Sequence, residues 1–167
     1  MEEYPLDQLV AIKQKRLEEA EKVLAEKKNI LAHEEEKLVA LEKKRDKVKE
    51  HYKAKLDQLR EKLDVGTGTE KIQQMKQYLK LVSEELKVEE QKVQAQMKLV
   101  AAAQAQVDLA RQDLFQKQKD VEKLKIHHSE WEKEVQKELT LKEELAGDEM
   151  GSAMHTLKKT EKKRKHS

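Results

Sequence analysis

Cysteine is absent from the chain, proline occurs once and glycine four times. Without cysteine there is no disulfide framework, no thiolate metal site and no Cys nucleophile. So little glycine and proline cannot supply the turns that a β-sandwich or a mixed α/β enzyme needs. Aromatics make up 3% and apolar residues 37%, below the roughly 45–50% of an ordinary globular domain. With a mean hydropathy of −1.00, there is little material for a core enclosed on all sides. A dominant charge is missing too: 36 Lys and Arg face 34 Asp and Glu, a net charge of +2. Met1-Glu2-Glu3-Tyr4-Pro5 has neither the basic segment nor the apolar stretch of a secretory leader. The longest apolar run, Leu99-Val100-Ala101-Ala102-Ala103, is far shorter than the ~20 residues that cross a bilayer. These absences point to a soluble, intracellular chain and leave a choice between long helices and disorder.

Charge is what the chain has most of, at 42% of residues, and the spacing of the apolar residues between the charges makes the choice. Reading every seventh residue gives Val10, Leu17, Leu24, Leu31, Leu38, Arg45, Tyr52 and Leu59, with Arg45 the lone misfit. The companion positions are looser: Leu6, Ala20, Leu41 and Val48 are apolar, while Lys13, Lys27, Glu34 and Lys55 are not. Flanking Val23, Ile30, Leu56 and Leu63 widen the stripe. The second half is stronger. Ile72, Leu79, Leu86, Val93, Val100, Val107, Leu114 and Val121 run unbroken, and Met75, Val82, Glu89, Gln96, Ala103 and Ala110 form the second series. A repeat held at seven predicts a left-handed coiled coil.

Between the halves lies Asp64-Val65-Gly66-Thr67-Gly68-Thr69, with two of the four glycines. Gly66 suits the left-handed conformation that ends a helix. Thr67 with Glu70 has capping-box spacing, and Thr69 is an alternative cap. Pro5 fits a first helical turn. The expectation is an all-α fold, a single long antiparallel two-helix hairpin. Its parts are a lead over 1–5, helices over 6–63 and 70–146, a turn over 64–69 and a flexible basic tail over 147–167. Facing residues then have numbers adding to about 134. Leu59 meets Met75, Leu24 meets Ala110, and Arg45 meets Glu89 as a charge pair that fixes register. The first helix ends near Leu6, so Trp131, Leu139, Leu141 and Leu145 overhang as an uncovered stripe. Residues 158–167 carry six basic residues and one acidic, leaving the first 157 residues at −3.

Catalysis finds no foothold. The glycine loop lacks the Gly-Lys-Ser/Thr ending of a phosphate loop and follows a helix. Ser83, Ser129, His127 and His128 do not assemble into a nucleophile, base and orienter. Adjacent histidines point about 100° apart on a helix, so His127 and His128 do not chelate a metal. No cofactor is called for. The basic tail has no interleaved aromatics, so specific nucleic-acid binding is not expected, and a solvated tail or one meeting acidic lipid or protein is the default. Tyr78, beside the seam near the turn, is read as exposed or packed along the seam edge.

Tyr4-Pro5-Leu6, Leu9, Ile12-Lys13, Arg16, Ala20-Glu21 and Leu24 resemble the opening of the FliJ/YscO family of type III secretion proteins, with the YscO branch, from injectisomes, the nearer. The resemblance implies a cytoplasmic, monomeric, non-enzymatic central stalk, peripheral to the inner-membrane export apparatus. By that likeness it engages and stimulates the hexameric secretion ATPase, links it to the membrane export gate and, as some members do, handles export chaperones. The open end, with Leu6, Leu9, Ile12, Lys13, Arg16, Trp131, Val135 and Leu139, would then enter the ATPase ring, and the turn end around Tyr78 would reach the gate. From the residues alone, two rivals stand: a coiled-coil scaffold dimerising through the overhang, and a basic-tailed binder of nucleic acid or membrane.

Overall fold

The computed structural model describes residues 3–165. Two helices account for nearly all of them: α1 (Asp7–Val65, 59 residues) and α2 (Thr69–Lys165, 97 residues). No strand occurs among the described residues. Two compact units divide the chain, one spanning Glu18–Gln116 and containing the turn, the other joining the residues up to Leu17 with those from Lys117 onward.

In the turn unit the helices pack antiparallel, and burial follows the seven-residue repeat. Ala20, Leu59, Ile72, Leu79, Val82, Val93, Ala103, Val107 and Ala110 are buried, Val93 and Val107 almost completely. Leu59, Ile72 and Leu79 form a core cluster beside the turn, with Tyr52, Leu56 and Met75 packed on it. Burying each such side chain is worth about 1.5–3 kcal/mol, which outweighs the weak helix preference of the β-branched valines. The seam is narrower than the sequence implies. Val23, Ile30 and Leu63 lie 43–51% exposed, and of the flanking residues only Leu56 reaches the core. A two-helix contact covers only a narrow stripe on each helix, so residues beside it stay wet.

Polar residues also occupy the seam. Gln96 is buried and its amide donates to the Glu34 carbonyl oxygen at 2.9 Å and to the Glu34 carboxylate. Glu89 is buried as well, but the expected pairing with Arg45 does not form. Lys44 and Lys92 each bring an ammonium to Glu89 Oε1 at 3.4 Å. Arg45 turns its guanidinium to Asp46, at 3.1 and 3.2 Å. A flexible lysine reaches the buried carboxylate from beside the seam with its ammonium still in water, whereas arginine in the seam would have to bury its charge. The register itself holds: Lys44 with Glu89 falls within one residue of it.

The turn is made by backbone chemistry. Gly66 has φ 78°, the Thr67 N–H donates to the Lys62 carbonyl at 3.1 Å, and the Gly66 N–H to Leu63 at 3.3 Å. These two bonds form a Schellman cap. The next helix starts one residue from the expected point, with Gly68 rather than Thr67 or Thr69 in the cap position: its carbonyl accepts from the Ile72 N–H at 3.3 Å.

In the open-end unit, Pro5 and Leu6 form a turn ahead of α1 rather than its first turn. The Asp7 N–H donates to the Tyr4 carbonyl at 3.2 Å, and proline sits at the second turn position, where its fixed φ belongs. The larger departure is at the other terminus. Gly147 and Gly151 predict a helix end at Ala146 and a flexible tail, but α2 runs on to Lys165. Each isolated glycine costs about 1 kcal/mol against alanine, and extending an existing helix carries no nucleation cost. The Thr156 and Thr160 hydroxyls donate to the carbonyls four residues back, at 2.9 and 2.8 Å, instead of disrupting the helix.

Candidate functional site

The open-end unit gathers Tyr4, His127, His128 and Trp131 into one cluster of rings. The Pro5 turn folds Tyr4 back against α2, leaving it 4% exposed. Its ring lies 4.5 Å from His128 in an edge-to-face arrangement and 5.2 Å from Trp131, separations at which aromatic pairs attract. The Tyr4 hydroxyl hydrogen-bonds His127 Nδ1, and His128 Nδ1 lies 3.4 Å from Glu132. Burial, and then the nearby Asp7 carboxylate, push the Tyr4 phenol above its ordinary value, since both disfavour the phenolate.

Beside this cluster a groove of about 590 Å³ opens, with Trp131, Val135 and Leu139 along one helix and Tyr4 and Asp7 opposite. Trp131 and Val135 are half-buried, and Leu139 is 45% exposed. The structure therefore brings together three of the eight expected open-end residues. The others are placed differently. Leu6 is half-buried ahead of α1, and Lys13 pairs with Asp120 at 3.7 Å. Leu9, Ile12 and Arg16 lie exposed on α1 outside the groove. Register arithmetic points Trp131 at Glu3, whereas Tyr4 is the residue whose ring packs against it, tilted by 59°. The available signal was an aromatic one residue from that register position, followed by a proline able to turn it inward.

At the turn end, Tyr78 is 44% exposed. Its hydroxyl lies 2.7 Å from His51 Nε2, and the Lys55 ammonium stands 5.8 Å from its ring centre. Lys55, Lys62 and Lys71 rim a groove of about 310 Å³ whose apolar lining is Met75 and Tyr78. Tyr78 thus lies along the seam edge, with its face presented beside positive charge. Gly66, Thr67, Gly68 and Thr69 build the turn and line neither groove.

Both grooves combine apolar side chains with charged rims on a helical surface, an arrangement suited to holding a protein segment. Among the described residues no cluster of three or more His, Asp or Glu is placed to hold a metal ion, and no helix is long and apolar enough to cross a membrane.

The chain matches the family model of YscO-like proteins over residues 1–162. It is also similar to a solved structure from Chlamydia trachomatis, CT670, described as a proposed YscO homologue. The two share 44% identity at a TM-score of 0.90, over 96% of this chain and 99% of that one. No curated protein matches.

Proposed function

The chain belongs to the YscO-like family and is a type III secretion-related protein; from that premise we propose that it acts as a non-enzymatic stalk and adaptor of the hexameric secretion ATPase. The observation that supports this is the Trp131 groove. It lies beside the start of α1, where α2 continues past it, so an apolar surface with an aromatic anchor is open to a partner. Tryptophan is among the residues enriched at binding hot spots. The turn-end groove, rimmed by three lysines around Tyr78, supplies a second contact for the export gate, and export chaperones are further partners. The protein works as a monomer, cytoplasmic and peripheral to the membrane apparatus.

The test is ATP turnover by the cognate ATPase with and without the full chain. Stimulation is expected. Trp131→Ala should weaken ATPase association about thirtyfold or more, the scale of a hot-spot loss, while shifting helix melting much less. Neither stimulation nor co-assembly would overturn the reading.

A second reading rests on Leu139, Leu141 and Leu145, which are 45–57% exposed: a scaffold that dimerises through this stretch of α2. Sedimentation over a range of concentrations separates the two, since only the scaffold gives a dimer.

A further inference from the structure

The far end of α2 has no part in the stalk reading. Residues 158–165 hold five lysines and Arg164 against Glu161 alone, so this stretch carries +5 while the rest of the chain carries −3. All eight residues are helical and exposed. One or two cations in the last turn are enough to complement a helix C-terminus. The remaining charge works against the helix, because Lys158 with Lys162 and Lys159 with Lys163 place like charges four residues apart. Just before this stretch, Met150, Met154 and Leu157 lie 73%, 65% and 65% exposed. Their spacing puts them on one face, with Ala146 and Ala153 beside them. Lys158, four residues beyond Met154, and Lys162, four further on, run along the edge of that face.

We infer that residues 146–165 form an amphipathic helix that lies on an anionic phospholipid surface, methionines and Leu157 at the acyl boundary and lysines on the headgroup phosphates. Three observations favour lipid over other anionic partners. Five of the six cations are lysine, a point charge suited to a diffuse field rather than to the paired recognition that arginine provides. The segment has no Phe, Tyr or Trp on which the bases of a single-stranded nucleic acid could stack. Methionine adapts its shape to a fluid boundary. The apolar face is small, so charge carries the affinity, each cation contributing about fivefold on an anionic leaflet. Lys158 lies about 40 Å along α2 from Trp131, so a lipid contact leaves the groove open.

The experiment mixes the full chain with sedimentable vesicles of phosphatidylcholine alone, or with about 30% phosphatidylglycerol, an anionic content at which a basic cluster binds. The chain should sediment with the anionic vesicles, stay in solution with the neutral ones, and release as salt rises. The combined variant Lys158→Gln, Lys159→Gln, Lys162→Gln should bind at least about tenfold more weakly, whereas arginine at the same three positions should retain binding. Met154→Ser with Leu157→Ser should give a smaller loss. These side chains are exposed, and circular dichroism confirms that each variant keeps its helix content. Equal binding to neutral vesicles, full binding by the glutamine variant, or tighter binding to single-stranded RNA at equal phosphate overturns the inference. No ATPase is present, so the outcome is independent of the stalk reading.

Discussion

The turn unit and the open-end unit share one sequence grammar and put it to different uses. Between Glu18 and Gln116 both helices are present, and residues at the seven-residue spacing become core: Leu59 is 7% exposed, Val93 1% and Val107 1%. In the other unit α1 begins only at Asp7, and the same kind of residue on α2 becomes surface. Leu145, which continues the Met75 series, is 54% exposed. Apolar periodicity therefore specifies a face and not its fate. A second helix turns that face into stability, and its absence leaves the face exposed to solvent.

The largest expected effect tests that contrast directly. Leu59→Ala removes a side chain from the cluster with Ile72 and Leu79 and should cost about 2–4 kcal/mol in chemical denaturation. Leu139→Ser should cost under about 0.5 kcal/mol while weakening partner association. Similar losses at the two sites would show that Leu139 is core and would erase the distinction. Next in size is Gly66→Val. No atom stands within 4 Å of the position of an added Cβ, so the penalty is one of backbone conformation. At φ 78° a β-branched residue should cost about 1–2 kcal/mol. An unchanged midpoint would mean that the turn relaxes to another cap.

This difference also separates what the sequence discloses from what it conceals. The seam was legible because a two-helix interface has one spacing rule and one turn. Lys13 with Asp120 and Tyr4 with Trp131 each fall within one residue of the expected register. Three features were not legible, for different physical reasons. Lys44 displaces Arg45 at Glu89 because side-chain reach and solvation, not register, choose among neighbouring cations. Tyr4 reaches Trp131 through a proline turn, which lies outside helical periodicity. The helical path through Gly147 and Gly151 depends on a nucleated helix already running into it. Among the candidate site residues, Trp131, Val135 and Leu139 were found because their spacing outruns α1. Leu9, Ile12 and Arg16 were carried over from a resemblance that has no means of placing them in a groove.

A smaller effect is expected where the turn unit breaks its own rule. Glu89 is buried, and its Oε2 has no hydrogen-bond partner. Replacing such a group with an apolar residue is commonly neutral or stabilising. Glu89→Leu should therefore raise the unfolding free energy by about 1 kcal/mol in chemical denaturation, and broaden spin-label distances between Leu38 and Gln96 as register control weakens. A loss of stability would show that Lys44 and Lys92 more than compensate the burial.

The smallest effect belongs to the open-end unit and is read through pH. Tyr4 is buried against His128 and Trp131, and its phenol titrates above the ordinary value of 10.0 because burial, then Asp7, disfavour the phenolate. A folded-state value raised above the unfolded one means that the protonated group favours the docked form. That contribution is complete below about pH 10 and is lost as pH rises through the raised value. A phenolate held against α2 is disfavoured by the same burial and by Asp7, so the lead segment should release from α2. Trp131 is the chain's one tryptophan, and its fluorescence should change in a step above about pH 10. Tyr4→Phe should abolish the step. Tyr52→Phe and Tyr78→Phe, which alter the turn unit alone, should leave it intact. A step that persists in Tyr4→Phe would assign the transition to the helices themselves, and the aromatic end would then be part of the seam rather than a separate closure upon it.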